Sequence, residues 1–419
     1  MTDLRDLKQN IDNMGFAPPP LHEIVDRARR GQRQRVKRRL SATAVIVAVV
    51  VLCSIVIVNR PGARGPELTG PGSQRYMGTA TAAFVSKSGL VYVADQGNNS
   101  LLVLDPSAKP GFEPVATIPL SFTPGVVAVS PNGAMAYVSP LAPEVASGSN
   151  TLYEVDLSTQ KVVRTIVDHS QPLGSMAIAP DGKMAYAWGD DIVPIDLSTG
   201  QILKPISRSQ FDYTDLEISP NGRTAIATSE GVSPNYQLIN LVSGNITKTV
   251  SIGDLQIRHT KGMWSPQTVA FSPDGTSAYI GLQHGSESLS AWLLKISAKT
   301  GRIESDVELG QGGVGDVVVT SDGSRAFVLV QTDVKGVYSG VFTIVPIDPG
   351  TLEALQRIVV GDVQGLGLLQ FGTAHTLYAV DTQWRLARID ERTDHIISTL
   401  RIPVPSLLAP TLQPIAFRG

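Results

Sequence analysis

Short apolar stretches recur along most of the chain, and a turn ending in glycine joins them in pairs. Five copies of this strand-turn-strand pattern are VAVSPNGAMAYVS, MAIAPDGKMAYAW, LEISPNGRTAIAT, VAFSPDGTSAYIG and VVVTSDGSRAFVL, with turn glycines at Gly133, Gly182, Gly222, Gly275 and Gly323. Two degenerate copies flank them, AFVSKSGLVYVAD at Gly89 and LQFGTAHTLYAVD near Gly372. Because glycine supplies the positive φ that closes such turns, the pattern predicts seven β-hairpins.

A second type of turn is interleaved with the first, one copy for each hairpin. It follows a strand that ends in an aliphatic residue, and it usually opens on Asp or Asn, as in VDLSTQK and IDLSTGQ. These turns start at Asp105, Asp156, Asp196, Asn240, Ser297, Asp348 and Asp390. Asp and Asn side chains cap such turns. The two phased signals predict seven units of four antiparallel strands, labelled A to D within each unit.

A lone four-stranded sheet of this kind cannot bury both of its faces, whereas seven sheets arranged radially bury them against one another. We therefore predict an all-β fold, a seven-bladed β-propeller with four-stranded antiparallel blades, over residues 77–419. The composition agrees, since 39 Gly and 28 Pro are typical of many turns and short elements. LQPIAF at 412–417 resembles one further strand A, and we expect it to close the ring.

An uncharged apolar segment, LSATAVIVAVVVLCSIVIV at 40–58, precedes the repeats. At about 1.5 Å per residue, a helix of this length just crosses a hydrocarbon core of about 30 Å. Residues 27–39 hold eight basic side chains, while the other flank has only Arg60 and Arg64. The positive-inside rule then predicts a single uncleaved transmembrane helix with a cytoplasmic N-terminus. A Pro/Gly-rich stalk at 59–76 would hold the propeller outside the cytoplasm, at a bacterial cell membrane.

The net charge of −2 hides an asymmetry between the N-terminus and the rest of the chain. Residues 1–39 carry ten Lys/Arg and five Asp/Glu, a local charge of +5 that leaves −7 for the remainder. A mildly acidic body argues against nucleic acid as a partner, because phosphate binding needs a basic face. The one cysteine, Cys53, lies inside the apolar segment and predicts neither a disulfide framework nor a cysteine-ligated metal site.

Residues 1–39 have a pattern of their own. Leu21, Ile24, Val25 and Ala28 recur at helical spacing after three prolines, which predicts a short amphipathic helix. The segment either holds a cytoplasmic partner, such as a sigma factor, or only sets the topology and contacts anionic headgroups, at about 1 kcal/mol per basic residue. We favour the topology role, because zinc-type anti-sigma modules need His and Cys ligands and the only candidate is His22.

The VxxSPDGxxxYV and VxVIDxxTGxV phrases resemble the repeats of YVTN-type bacterial propellers, also called YncE-like, over about residues 78–405. Propellers of that group serve as binding modules, surface-layer components, lactonases and the haem d1 domain of nitrite reductases. The resemblance implies the fold and leaves the activity open. The chain departs from WD40 proteins in lacking the GH and WD marks of each blade, it has no CxxCH haem site, and no lactonase catalytic pattern matches it.

The two rims of such a propeller differ in this sequence. The A-B and C-D turns are the short repeats, whereas the B-C and D-A loops are irregular and carry aromatic and charged side chains. Such loops on a rigid scaffold suit recognition, although each side chain singly could instead plug the channel or pack between blades. The candidate binding face comprises Trp188, Asp190, Asp191, Phe211, Tyr213, Tyr236, Arg258, His259, Trp264, His284, Tyr338 and Trp384.

Catalytic and metal-binding motifs are weak in this sequence. Asp190, Asp191 and the scattered histidines have no HxH, HExxH or DxDxDG spacing, and there is neither a GxSxG elbow nor a GxxxxGK[ST] phosphate loop. We predict no cofactor, no metal and a non-enzymatic binding or scaffold protein that recognises a protein, peptide or glycan. Two alternatives stay open: a lactonase-type hydrolase, and a transmembrane sensor or regulator whose residues 1–39 hold a cytoplasmic partner.

Overall fold

The computed structural model describes the residues of fifteen ranges: 80–84, 90–95, 98–105, 114–140, 150–168, 175–188, 191–206, 212–230, 233–252, 263–285, 289–331, 339–364, 368–371, 375–380 and 385–401. All of them belong to one compact unit, Gln74–Gly419. The segments predicted at 1–39, 40–58, 59–76 and 412–417 lie outside the described residues. Within the fifteen ranges, no helix is long and apolar enough to span a membrane.

The described residues form seven sheets, each of four consecutive strands that lie in sequence order. The first blade consists of β1 (Ala80–Phe84), β2 (Val91–Asp95), β3 (Ser100–Leu104) and β4 (Ala116–Pro119). The second consists of β5 (Pro124–Val129), β6 (Met135–Pro140), β7 (Asn150–Asp156) and β8 (Lys161–Asp168). The third consists of β9 (Ser175–Ile178), β10 (Met184–Trp188), β11 (Ile192–Asp196) and β12 (Gln201–Ile202).

The remaining four blades repeat this plan. The fourth consists of β13 (Asp212–Ile218), β14 (Thr224–Glu230), β15 (Asn235–Asn240) and β16 (Asn245–Ser251). The fifth consists of β17 (Trp264–Phe271), β18 (Ser277–His284), β19 (Ser290–Ser297) and β20 (Ile303–Gln311). The sixth consists of β21 (Gly313–Val319), β22 (Ala326–Gln331), β23 (Ser339–Ile347) and β24 (Ile358–Gln364). The seventh consists of β25 (Leu368–Phe371), β26 (Thr376–Val380), β27 (Arg385–Asp390) and β28 (His395–Arg401). The predicted seven-bladed propeller is confirmed.

The hydrophobic core lies between neighbouring blades, because side chains of a strand alternate between its two faces. On β18, Ile280 and Leu282 pack in one cluster with Tyr236 of the fourth blade. Tyr279 of the same strand packs in another cluster with Val328 of the sixth blade. The fifth blade therefore buries both faces against its neighbours, as the radial arrangement requires.

The turn chemistry follows the sequence pattern closely. The five predicted A-B turn glycines have φ between 69° and 71°. In the C-D turns, the Asp196 carboxylate accepts hydrogen bonds from the Ser198 N–H at 2.8 Å and the Thr199 N–H at 3.2 Å. Asp156 and Asp390 cap their own turns in the same way. Local side-chain bonds of this kind close each hairpin without help from distant residues.

The first and last blades bear on how the ring closes. The first blade takes all its strands from residues 80–119, and the seventh takes all of its own from 368–401. Neither blade lacks a strand that 412–417 would have to supply. The role of 412–417 itself, which lies outside the described residues, stays a prediction.

The A-B turn of the sixth blade gives a prediction about acid stability. The Thr320 hydroxyl and the Ser324 N–H donate to the Asp322 carboxylate, and these bonds hold the pKa of Asp322 at about 2. Since this folded-state pKa lies below the ordinary 3.8, the carboxylate stabilises the fold above about pH 4, and this contribution is lost as the pH falls towards 2. The melting temperature should fall over that interval.

The variant Asp322→Asn provides the control for this turn. Asn132 and Asn221 occupy the equivalent turn position in the second and fourth blades, and each accepts the same backbone bond. Asp322→Asn should therefore fold, and its melting temperature should depend less on pH between about 4 and 2.5 than that of the wild type. A difference in melting temperature that stays constant across this interval would contradict the assignment.

Candidate functional site

The candidate face lies at the rim formed by the B-C and D-A connections, which we call the BC/DA rim. Six of its predicted residues belong to described segments: Trp188, Asp191, Tyr213, Tyr236, Trp264 and His284. The other six lie outside the described residues and remain predictions: Asp190, Phe211, Arg258, His259, Tyr338 and Trp384.

Two predicted loop tryptophans are strand residues. Trp188 ends β10 and Trp264 begins β17, and their side chains are only 3% and 4% exposed. Trp188 packs with Tyr213 between the third and fourth blades. Trp264 was expected in a D-A loop, but it pairs with His284 because β17 and β18 extend their ladder to the rim. Both tryptophans lie at the rim ends of contacts between blades, and little of either ring is exposed.

Tyr236 occupies a different place from the one that the sequence suggested. Its ring is fully buried between the fourth and fifth blades. Its hydroxyl donates to the Gly301 carbonyl at 2.9 Å, in the C-D connection on the opposite rim. Burial raises the pKa of Tyr236 to about 12. This residue joins two blades and does not face the BC/DA rim.

The fourth blade carries a buried polar cluster just beneath the BC/DA rim, formed by Tyr213, Ser229, Asn235 and Gln237. Ser229 pairs directly with Tyr213 on one side and with Asn235 on the other. The Tyr213 hydroxyl donates to the Gln237 side-chain oxygen at 2.9 Å. Three buried atoms in the cluster have no hydrogen-bond partner in the described structure: Ser229 Oγ, Asn235 Oδ1 and Gln237 Nε2.

Burying the polar groups of this cluster without partners costs free energy of folding. Ser229 and Gln237 are fully buried and Asn235 is 2% exposed, so bulk water does not satisfy them. A buried polar group without a partner costs about 1–3 kcal/mol. The cluster therefore places donor and acceptor groups together inside the blade contact just beneath this rim.

The fifth blade brings aromatic and polar groups together at the same rim. The ring centroids of Trp264 and His284 are 4.2 Å apart, and Trp292 meets Trp264 edge-on at 5.4 Å. His284 Nε2 is buried and makes no hydrogen bond in the described part of the chain. Beside them, the Ser265 hydroxyl donates to the Glu230 carboxylate at 3.2 Å, which links the fifth blade to the fourth.

Two buried aspartates that the sequence analysis missed line the inner strands. A β-bulge precedes Asp215 on β13 and Asp316 on β21. Asp215 accepts the Val269 N–H at 2.9 Å, and Asp316 accepts the Leu369 N–H at 2.9 Å. Each carboxylate thereby bonds the inner strand of the following blade. An acidic residue at a position where the other repeats have an uncharged residue, such as Val126 or Thr268, was the signal that could have found them.

On the opposite rim, formed by the A-B and C-D turns, polar side chains form hydrogen bonds within their own turns. There, Ser130 Oγ, Ser219 Oγ and Ser272 Oγ each donate within their own turn. Among the described residues, no side-chain atom of these turns is buried without a partner. Buried side-chain atoms without a partner in the described structure lie near the BC/DA rim at Ser100, Ser229, Asn235, Gln237 and His284, whereas Ser398 Oγ lies nearer the C-D turn of the seventh blade.

The described residues hold no group of three or more His, Cys, Asp or Glu side chains that could bind a metal ion. Asp191, one half of the adjacent carboxylate pair, is partly exposed at the start of β11. The hydrogen bonds of Asp215 and Asp316 go to backbone N–H groups and, for Asp316, also to the Thr268 hydroxyl. Both carboxylates thus have structural partners.

Comparisons with known proteins establish the fold and no narrower grouping. No protein-family model matches the chain, and no curated protein matches it. Among solved structures, the chain is similar to Kuenenia stuttgartiensis hydrazine synthase, with 17% sequence identity and a TM-score of 0.54, over 81% of this chain and all of that chain. At this identity the likeness concerns architecture alone. The repeats, the sheets and this likeness all indicate a seven-bladed β-propeller.

Proposed function

We propose that this protein is a non-enzymatic binding or scaffold protein that recognises a protein, peptide or glycan at the BC/DA rim of its propeller. The proposal includes anchoring at a bacterial membrane through residues 40–58, with residues 1–39 in the cytoplasm and the propeller outside. The uncharged length of 40–58 and its basic N-terminal flank support that topology. Binding modules are among the proteins built from YVTN-type repeats, so the resemblance agrees with a binding role without selecting it.

The observation that carries the binding role is the group of unused polar atoms beside aromatic rings in the fourth and fifth blades. Ser229 Oγ, Asn235 Oδ1, Gln237 Nε2 and His284 Nε2 are all buried without partners at strand ends of adjacent blades. On the opposite rim, the turn side chains satisfy one another. Since interfaces use polar groups that converge around an aromatic centre, this distribution favours recognition at the BC/DA rim.

Thiol labelling in intact cells tests both the face and the topology. Single cysteines are introduced into the full chain in a Cys53→Ser background, as Ser233→Cys at the BC/DA rim or Lys299→Cys at the opposite rim; both positions are exposed. A membrane-impermeant maleimide should modify both in intact cells. Labelling of Ser233→Cys should be about fivefold slower in cells than in the purified chain, because an occupied face excludes the reagent.

The Lys299→Cys variant serves as the matched control, and its labelling rate should be the same in cells and after purification. If both variants react only after lysis, the proposed topology is wrong. If Ser233→Cys reacts equally fast in cells and in the purified chain, no ligand occupies this rim. Either result would reject the corresponding half of the proposal.

A further inference from the structure

At four junctions between described blades, a side chain of one blade donates a hydrogen bond to a backbone carbonyl in the C-D turn of the next blade. Between the fourth and fifth blades, Lys248 Nζ donates to the Thr300 carbonyl at 2.6 Å, beside the bond from Tyr236 to Gly301. The turn packs so closely that a Cβ on Gly301 would lie 2.9 Å from the Leu238 side chain. Donors of one blade thus bind backbone carbonyls of the next, which we call the turn clamp.

Three other junctions have the same clamp with different donors. Arg164 donates to the Leu197 and Ser198 carbonyls between the second and third blades. Between the fifth and sixth blades, the Tyr279 hydroxyl and Lys295 Nζ both donate to the Pro349 carbonyl, at 3.3 Å and 2.9 Å. Arg325 donates to the Glu391 carbonyl at 3.4 Å between the sixth and seventh blades.

The junction between the third and fourth blades has the donors but not the clamp. Tyr186 in MAYAW stands where Tyr279 stands in SAYIG. Lys204 on the third blade is equivalent to Lys248 on the fourth. Each lysine lies two residues after an isoleucine of the outer strand, Ile202 or Ile246, and these isoleucines pair with Ile195 and Ile239 of the neighbouring strands. Within the described residues, neither the Tyr186 hydroxyl nor the Lys204 ammonium makes a hydrogen bond, although their counterparts do.

A groove occupies this junction in place of the clamp. Its volume is about 760 Å³. Outer strand β12 has only two residues, and Pro205 just beyond it has no N–H to continue a ladder. The apolar part of the lining includes Met184, Leu203, Ile206 and Val242. The lining contains one cation, Lys204, and no acidic residue.

We propose that this groove binds an extended peptide segment that carries a carboxylate beside an apolar side chain. The carboxylate would receive the Lys204 ammonium and the Tyr186 hydroxyl, the two donors whose counterparts bind carbonyl oxygens of a turn at other junctions. The apolar side chain would cover Leu203 and Val242, which are 37% and 77% exposed. A carboxylate fits better than a neutral carbonyl because bonds between ionised partners are the stronger ones.

This site is independent of the ligand proposed for the BC/DA rim, since it lies at the outer edge near the opposite turns. Fluorescence anisotropy on the purified full chain tests it with three labelled peptides. The first is fluorescein-GSLVL with a free C-terminal carboxylate, and the second is the same peptide amidated. The third is amidated fluorescein-GSLVLD, which distinguishes a side-chain carboxylate from a terminal one.

The free acid should bind more tightly than its amide by about tenfold or more, the value of a hydrogen bond to a charged group. Lys204→Met should abolish this preference, and Tyr186→Phe should reduce it while the melting temperature stays unchanged, because that hydroxyl has no protein partner to lose. Lys161→Met, at another exposed lysine of an outer strand, is the matched control and should bind like the wild type.

Binding of the GSLVLD amide as tight as that of the free acid would assign the site to acidic side chains, and weaker binding would assign it to a chain terminus. Equal binding of the free acid and its amide by the wild type overturns the proposal. So does a preference that survives in Lys204→Met, or the absence of measurable binding by all three peptides.

Discussion

Replacing Asp316 with alanine is expected to lower the free energy of unfolding by about 3–5 kcal/mol. The side chain is 1% exposed. One carboxylate oxygen accepts the Val317 N–H at 2.7 Å and the Thr268 hydroxyl at 3.2 Å, and the other accepts the Leu369 N–H at 2.9 Å. The substitution leaves three buried donors without this acceptor and breaks links between the inner strands of the fifth, sixth and seventh blades.

Equilibrium denaturation of the full chain measures this loss. Asp316→Asn keeps the shape and one acceptor, so its loss should be smaller, about 1–3 kcal/mol. Glu308→Ala removes a carboxylate from an exposed position on β20 and should change the stability by no more than about 0.5 kcal/mol. A value for Asp316→Ala as small as that of Glu308→Ala would show that the carboxylate does not join the blades.

Replacing Trp264 with alanine is expected to cost about 3–5 kcal/mol of stability, as for other buried tryptophans. The indole is 4% exposed and contacts both His284 and Trp292 in the contact between the fourth and fifth blades. The residues around the indole are buried and most of them lie on strands, so the cavity left by the substitution should fill only in part. Any loss of ligand binding in this variant would then accompany a loss of folded protein.

The variant Met263→Ala is the control for Trp264→Ala. Met263 is 70% exposed and directly precedes Trp264, and Met263→Ala should alter the stability by no more than about 0.5 kcal/mol. Chemical denaturation followed by far-ultraviolet circular dichroism compares the two variants. If Trp264→Ala unfolds at the same denaturant concentration as the wild type, the indole belongs to an adaptable surface and its assignment to the blade contact is wrong.

The blades could be predicted because each repeat contains its own turn chemistry. Gly182 and Gly275 adopt the positive φ that their hairpins need, and Asp196 caps its turn with a carboxylate from the same four residues. These interactions are local, so a periodic sequence displays them directly. Alternating apolar positions on strands such as β18 likewise indicated two buried faces.

The candidate site could be predicted only in part. Trp188 and Trp264 were expected in exposed loops, but pairing across the strands extends to the rim and buries both rings. Nothing in the sequence marked Gln237 and Asn235 as candidate site residues, because the segment NYQLIN by itself is typical of an ordinary half-polar strand. Their burial arises from the third blade, whose Trp188 and Ile192 cover the same face as Tyr213.

By itself, the sequence determined the number of blades, their four-strand order and the turn that closes each hairpin, because these depend on residues within a few positions of one another. Only the tertiary structure decided which side chains are shared between blades. The bond of Asp316 to Leu369, which lies 53 residues further along the chain, the unused polar atoms around Gln237 and the groove beside Lys204 all depend on residues of a neighbouring blade. Such neighbours are set by blade packing, which leaves no periodic mark on the chain.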